Sequence, residues 1–402
     1  MKLRSKSISF ASPQRSITAY EYCQYTKPSG LDMMRVRFLE LKDDIYDHFC
    51  LSFSSDNGQT WPETKPEPLS QKTPRGMLRR FHTPGFVDPV SGRLLEFILE
   101  GVFPHDSPLD GMKAYYLTYR VSEDGGRTAI VEERVVQRGH TPEHPCAHVW
   151  VGRNALMTGA PGSVLRSRRG HLIVATQLCP VGPDGEYYNP GGGYTWTEVL
   201  ILFGCWQADG PIEWDCGPRV AIEPSRSTRG VIEPTLAQMP DGRILMVMRG
   251  SNGGSQDPDY QIPGYKWYSV SADEGFTWTD PQPWRYSDGS TLYSPSSISQ
   301  LVPHSSGKYY WFGNVCSENP RGNLPRYPLV AAEVDPRGLV LVRDSLFVVD
   351  DRQPEDPPAL YLSNFYVYED RATGELVLHM TRMFQESDGT PGGDAYVYRI
   401  EP

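Results

Sequence analysis

The sequence of 402 residues contains no long apolar run. Residues 1–10 begin with basic side chains, but neither the core of a signal peptide nor a membrane span follows. We therefore expect no membrane partner, and a chain that is cytoplasmic or is secreted with its signal already removed. Basic runs are also missing, and 49 acidic residues against 39 basic ones give a net charge of −10. We expect no nucleic-acid partner, because this charge repels phosphates.

Cysteine and histidine show no metal-binding pattern. The seven cysteines are odd in number and scattered, and no two of them have the CxxC spacing. They indicate reduced, mostly structural thiols rather than disulfides. His105, His144 and His148 are more typical of loop residues than of a metal triad. We expect no metal and no cofactor, and the sequence leaves the oligomeric state open.

What the sequence does have is an abundance of turn residues, with 38 glycines and 36 prolines between short apolar runs. This pattern predicts a nearly all-β protein. A turn of the form Ser-x-Asp-x-Gly-x-Thr recurs, and we call its copies the aspartate turns. They are Ser54–Trp61, Ser122–Thr128 and Ser271–Trp278, with Gln207–Trp214 as a weaker copy. The aspartate accepts backbone hydrogen bonds and glycine supplies a positive φ, so we expect a structural rather than a catalytic role.

A second repeated piece alternates with the aspartate turns. It is a two-stranded unit that opens on a proline and turns at a glycine, and its copies begin at Pro84, Pro161, Pro234 and Pro295. A fifth copy near Asn364 lacks the proline. The spacing leaves room for four strands per copy, which predicts a six-bladed β-propeller of four-stranded antiparallel blades. We expect one domain over 1–402, in which an early strand, Lys6–Phe10, completes the last blade and removes an open edge.

Three further segments accompany these turns. Phe81-His82-Thr83-Pro84 opens one unit, Glu233-Pro234 precedes Arg249 in another, and Arg326 precedes a strand. With the aspartate turns, which match Asp boxes (BNR repeats), they make the chain similar to a divergent member of the sialidase (neuraminidase) superfamily. The resemblance implies a glycoside hydrolase of carbohydrate metabolism, an exo-glycosidase that acts on a terminal acidic sugar such as sialic acid or a related keto-acid or uronate.

The resemblance also implies a set of site residues. Sialidases hold the substrate carboxylate with three arginines, and they use a tyrosine paired with a glutamate as nucleophile and an aspartate as acid/base. On this pattern Glu233 matches the glutamate, Arg249 and Arg326 match two of the arginines, and Asp110 matches the acid/base. The expected partner is therefore a carbohydrate that carries a carboxylate.

The first arginine of that pattern is missing. His82 stands in its place, and an imidazole cannot make the two-pronged contact that a guanidinium makes with a carboxylate. Arg382 or Arg80 could reach into the site instead. The nucleophile is also left open among three tyrosines near strand ends. The candidates are Tyr366, Tyr361 and Tyr293.

The residues themselves also favour a binding site. In a propeller the first strands converge at one mouth of the ring, so Glu233, Arg249 and their counterparts at repeated strand ends should face the same space. Two guanidiniums on one axis are costly without an anion between them. Two alternatives remain open. One is a uronate lyase in which His82 and a tyrosine perform β-elimination, and the other is a glycan-binding propeller without catalysis.

Overall fold

A computed structural model describes residues 1–42, 44–107, 114–152, 156–158, 162–386 and 389–402. Strand accounts for 49% and helix for 1% of the structure, whose six small antiparallel sheets are arranged in a ring. The fold is thus the predicted six-bladed β-propeller. Over the described ranges, no helix has the length and apolar character needed to cross a membrane.

The N-terminal half forms three of the six sheets. The chain begins with β1 (Lys2–Phe10), which belongs to the last sheet. The first sheet consists of three strands, which lie side by side in the order β2 (Thr18–Tyr25), β3 (Met33–Lys42) and β4 (Ile45–Ser54). The second consists of β5 (Ser70–Thr73), β6 (Gly76–His82), β7 (Phe86–Val87), β8 (Leu94–Phe103), β9 (Ala114–Ser122) and β10 (Val131–Arg134). The third consists of β11 (Leu156–Met157), β12 (Val164–Arg166), β13 (Leu172–Leu178), β14 (Glu198–Trp206) and β15 (Ile212–Val220).

The C-terminal half forms the other three sheets. The fourth consists of β16 (Ile232–Gln238), β17 (Ile244–Arg249), β18 (Lys266–Ser271) and β19 (Gln282–Pro283). The fifth consists of β20 (Ser299–Pro303), β21 (Tyr309–Asn314), β22 (Leu329–Asp335), β23 (Val340–Leu341) and β24 (Phe347–Asp350), with a 3₁₀ turn at Arg343–Ser345. The sixth contains β25 (Tyr361–Glu369), β26 (Leu376–Met383) and β27 (Ala395–Glu401), and β1 pairs with β27 as its fourth strand.

The blades are less uniform than the repeat predicts. Counted over the described residues, the first sheet has three strands rather than four, while the second has six because short strands join its edges. The repeated units opening on a proline fold as hairpins, as β16 and β17 show, and their turn requires Gly242 at φ 93°. A side chain at such a position is strained, so glycine marks each hairpin in the sequence.

The chain divides into two compact units. The first unit comprises Met1–Lys113, Thr118–Glu133 and Val349–Pro402, and the second comprises Ala114–Leu117 and Arg134–Val348. Each unit has its own buried apolar clusters, formed where neighbouring sheets pack face to face. A single domain over 1–402 stays a prediction.

The three full aspartate turns share one hydrogen-bond pattern. In the first, the Ser54 hydroxyl and the Thr60 hydroxyl donate to the two carboxylate oxygens of Asp56 at 2.6 and 2.5 Å. The Trp61 indole donates to the Gly58 carbonyl oxygen at 2.8 Å. Asp124 and Asp273 are held in the same way. The weaker copy differs, because Trp214 lies inside β15 and the segment is an ordinary hairpin.

These bonds make a prediction about acid stability. Hydrogen bonds from Ser54 and Thr60 lower the pKa of Asp56 to about 2. The stability that Asp56 contributes to the fold is therefore present above the ordinary aspartate pKa of about 3.9 and is lost as the pH falls towards 2. We expect Asp56→Asn to lower the urea midpoint at pH 7 and to flatten its dependence on pH below 4. Asp209→Asn, in the ordinary hairpin, is the control, and an equal effect of both substitutions would contradict the prediction.

Candidate functional site

Glu233 lies at the start of β16 in an unusual backbone conformation. Its φ is 47°, and the pairing of β16 with β17 is irregular between Ile232 and Thr235. The Glu233 N–H donates to Oε1 of Gln177, at the end of β13, at 3.0 Å. A left-handed glutamate is uncommon, and backbone strain of this kind clusters at functional positions. The bulge brings Glu233 out of the regular ladder, with its side chain 18% exposed.

Arg249 lies at the end of β17 and holds the Glu233 carboxylate. Its Nη1 donates to both carboxylate oxygens, at 2.8 and 3.0 Å. Its Nε donates to Oγ of Ser296 at 2.8 Å, and its Nη2 donates to Oδ1 of Asn323 at 3.3 Å. The arginine is buried, so these bonds fix the guanidinium in one orientation. The pairing of Glu233 with Arg249 is the one that their sequence spacing indicates.

Arg326 reaches the same point from another part of the chain. Its Nη2 donates to the backbone oxygen of Ser296 at 3.2 Å, so both arginines contact one serine. The Asn314 amide, at the end of β21, donates to the backbone oxygen of Arg326 at 3.1 Å. The structure thus brings together Glu233, Arg249 and Arg326, all of which are described within the second unit.

Lys266 is a site residue that sequence reasoning missed. It begins β18 opposite Arg249, is fully buried, and donates from Nζ to the backbone oxygen of Ser297. Burial, followed by repulsion from Arg249, holds its pKa well below the usual range for lysine. The signal in the sequence is a lysine at the head of a strand that is otherwise mostly apolar. Lys266, Arg249 and Arg326 therefore all contact the segment Ser296-Ser297.

Several positive charges surround Glu233. Burial, the largest influence, raises the pKa of Glu233, but Arg249 and Arg326 outweigh it and keep the group ionised. Burial and repulsion from Arg249 lower the pKa of Arg229 to about 10, so Arg229 stays charged at neutral pH. The guanidiniums of Arg229, Arg249 and Arg326 all act on the Glu233 carboxylate. Buried positive charges grouped in this way favour an anionic ligand.

Among the described residues, four other predicted site residues belong to the first unit, namely Arg382, Tyr366, Tyr361 and His82. Of these, Arg382 is held by two carboxylates. Its guanidinium donates to Asp350 at 2.6 Å and to Asp356 at 2.5 Å, and its side chain is 7% exposed. Asp350 also accepts hydrogen bonds from Lys6 and from Tyr398. An arginine held by two carboxylates has little charge left for a substrate, which favours a structural role for this residue.

The candidate tyrosines have different surroundings. Tyr366 packs against an apolar cluster with its ring 5.9 Å from that of Tyr22, and burial raises its pKa, which makes its hydroxyl a poor nucleophile. The ring centre of Tyr361 lies 4.7 Å from that of Phe384. Tyr293, in the second unit, stacks on Tyr265, with the ring centres 5.8 Å apart. Asp110 lies outside the described residues.

His82 packs its ring against Phe49, with the ring centres 4.5 Å apart. Burial, with repulsion from Arg80 and Arg120, lowers the pKa of His82 to about 3. We therefore expect the imidazole to stay neutral from pH 8 to pH 5, which NMR can follow with His82→Phe to assign the signal. Because the unfolded histidine titrates near 6.5, the stability it contributes is present above that pH and is lost as the pH falls towards 3. An imidazole signal of His82 that titrates near 6.5 would contradict this.

Comparison with known proteins agrees with the six-bladed β-propeller fold. No protein-family model and no curated protein sequence matches it. Among solved structures, a protein of unknown function from Dyadobacter fermentans is similar over 100% of this chain and 99% of its own, with 11% identity and a TM-score of 0.61. An intramolecular trans-sialidase from Ruminococcus gnavus is similar over 98% and 97%, with 11% identity and a TM-score of 0.59.

The NanB sialidase from Streptococcus pneumoniae is similar over 99% of this chain and 70% of its own, with 13% identity and a TM-score of 0.58. These likenesses show that the chain has the sialidase fold. The identities of 11–13% are those of a divergent propeller, so the likeness supports the architecture that the motifs predict.

Proposed function

We propose that the protein is an exo-glycoside hydrolase that removes a terminal acidic sugar, such as sialic acid or a related keto-acid or uronate, from a glycan. One observation carries the proposal: two buried arginines meet at Ser296 beside an ionised glutamate. A sugar carboxylate would accept hydrogen bonds from these guanidiniums in the two-pronged geometry that arginine and carboxylate share.

In this proposal Arg249 and Arg326 orient the sugar by its carboxylate. Glu233 accepts the proton of a tyrosine hydroxyl, whose ordinary pKa of about 10 makes it a poor nucleophile alone. The tyrosine oxygen bonds to the anomeric carbon while Asp110 protonates the leaving oxygen, and water then releases the sugar. A sialidase of the same fold from Trypanosoma rangeli forms a covalent intermediate with 2,3-difluorosialic acid, which supports a covalent route here.

The surroundings of His82 favour hydrolysis over elimination. A uronate lyase would need a base near neutral pH, whereas a histidine with a pKa of about 3 is a weak one. The third function, glycan binding without turnover, uses the same arginines. Only a measurement of turnover separates it from hydrolysis.

The test is to incubate the protein with sialosides, keto-acid glycosides and uronic-acid glycosides and to separate the products. Release of a free, saturated acidic sugar from at least one substrate supports the proposal. An unsaturated product that absorbs ultraviolet light would identify a lyase instead. Saturable binding without any released sugar, measured by calorimetry on the same substrates, would identify a binding protein.

A further inference from the structure

A second cluster of chemically reactive side chains lies between β2 and β26 in the first unit. Glu21 and Cys23 are two residues apart on β2, so they point to the same face of the strand. His379 on β26 faces them. One carboxylate oxygen, the thiol sulfur and one imidazole nitrogen all lie within 4.8 Å of one another, and all three residues are buried.

His379 lacks the hydrogen bonds that a buried imidazole needs. Its side chain is 4% exposed, and in the described part of the chain neither ring nitrogen makes a hydrogen bond of good geometry. Its Nδ1 lies 3.4 Å from Oε1 of Glu21, which is close but is not a hydrogen bond of good geometry. A buried polar group without a partner costs free energy, and a bound ion is one of the recognised explanations.

The neighbours of Glu21 leave one carboxylate oxygen available. Arg37 donates to Oε2 of Glu21 at 2.6 Å, while Oε1 faces His379. Carboxylates that bind metals are commonly held by such a second partner. Arg35 lies 3.9 Å from the same Oε2 and stacks on Trp61. The two guanidiniums stabilise the ionised ligands but repel a cation, so we expect binding of moderate strength.

We propose that Glu21, Cys23 and His379 form a zinc site. Thiolate, imidazole and carboxylate are the donors that Zn²⁺ takes in proteins, and three of them leave one position for water. Binding forms a zinc–sulfur bond, and the thiol proton leaves to solvent without any change of oxidation state. This site is separate from the glycosidase proposal and does not depend on it.

The test is metal uptake by the full chain. After removal of metals, the protein is equilibrated with zinc chloride and dialysed, and zinc is measured by mass spectrometry. We expect about one zinc per chain, and, with cobalt, a thiolate charge-transfer absorption together with the visible bands of a tetrahedral site. The Cys23→Ser variant should lose both the bound zinc and the cobalt spectrum. In His379→Gln, zinc uptake should fall at least tenfold.

Cys179→Ser is the matched control, because Cys179 is also a buried cysteine. It should keep the zinc and the cobalt spectrum of the natural chain. Circular dichroism and the Tm in the absence of metal check that each variant is folded, and Glu21→Gln provides a further ligand variant if one of the others does not fold. Equal zinc uptake by the natural chain and the folded ligand variants, or no uptake by the natural chain, would overturn the proposal.

Discussion

Replacing Glu233 by glutamine should reduce kcat on a cleavable acidic glycoside by roughly 10²–10⁴-fold, the usual contribution of a proton-transfer group. The amide keeps the shape of the side chain but cannot take a proton from tyrosine. Because glutamine no longer holds Arg249 in a charge pair, binding of the acidic sugar should be retained or strengthened. The expected result is a loss of kcat without a rise in KM.

The control is a measurement of fold and binding on the same sample. Circular dichroism should be unchanged, and calorimetry should show the product sugar bound at least as tightly as by the natural chain. If Glu233→Gln turns over every substrate at the original rate, the role of Glu233 in the proposed mechanism is wrong. If binding disappears together with turnover, the role of Glu233 is to orient the arginines for sugar binding and not to accept the proton of the tyrosine.

Replacing Arg249 by methionine should destabilise the protein by about 3–5 kcal/mol, the usual cost of removing one partner of a buried ion pair. The Glu233 carboxylate loses both hydrogen bonds from Nη1, and the hydroxyl of Ser296 loses a donor. Adding Glu233→Gln to this variant should recover part of the loss, because the unpaired charge is then gone. Urea unfolding of the single and double variants measures this coupling.

Arg243→Met is the matched control for this experiment. Arg243 lies in the turn before the same strand, where it pairs with Asp241 at the surface and donates to the backbone oxygens of Pro336 and Arg337. We expect Arg243→Met to destabilise the protein less than Arg249→Met does, because a surface pair contributes about 1 kcal/mol or less. Equal destabilisation by both substitutions, or a double variant less stable than Arg249→Met alone, would show that the cluster does not behave as a buried charge pair.

The architecture could be predicted from the sequence because its signals are local. The Asp56 turn is closed by residues within four positions, and Gly242 marks a hairpin by its backbone alone. Glu233 and Arg249 are also near in sequence, since they lie on paired strands of one hairpin. Because the partners in such contacts are close in sequence, the contacts can be recognised from the intervals between residue types.

The rest depends on contacts between distant segments. Nothing near Arg382 in the sequence shows that Asp350 and Asp356 hold it, so a substrate-binding role was an equally reasonable prediction. Ser296 is one of many serines, and it matters because two arginines from different segments of the chain reach it. In the same way, His379 joins Glu21 and Cys23 only when the first and last sheets have formed.

The pairing of β1 with β27 determines when the sixth sheet can form during folding. Residues such as Ile8 and Tyr396 are partners although almost the whole chain lies between them. Closing so long a loop costs more entropy than closing a hairpin, and such contacts slow folding. During synthesis β1 leaves the ribosome well before β27, its partner strand, does. Until β27 follows, the unpaired edge of β1 can associate with other chains, which exposes the protein to aggregation during this interval.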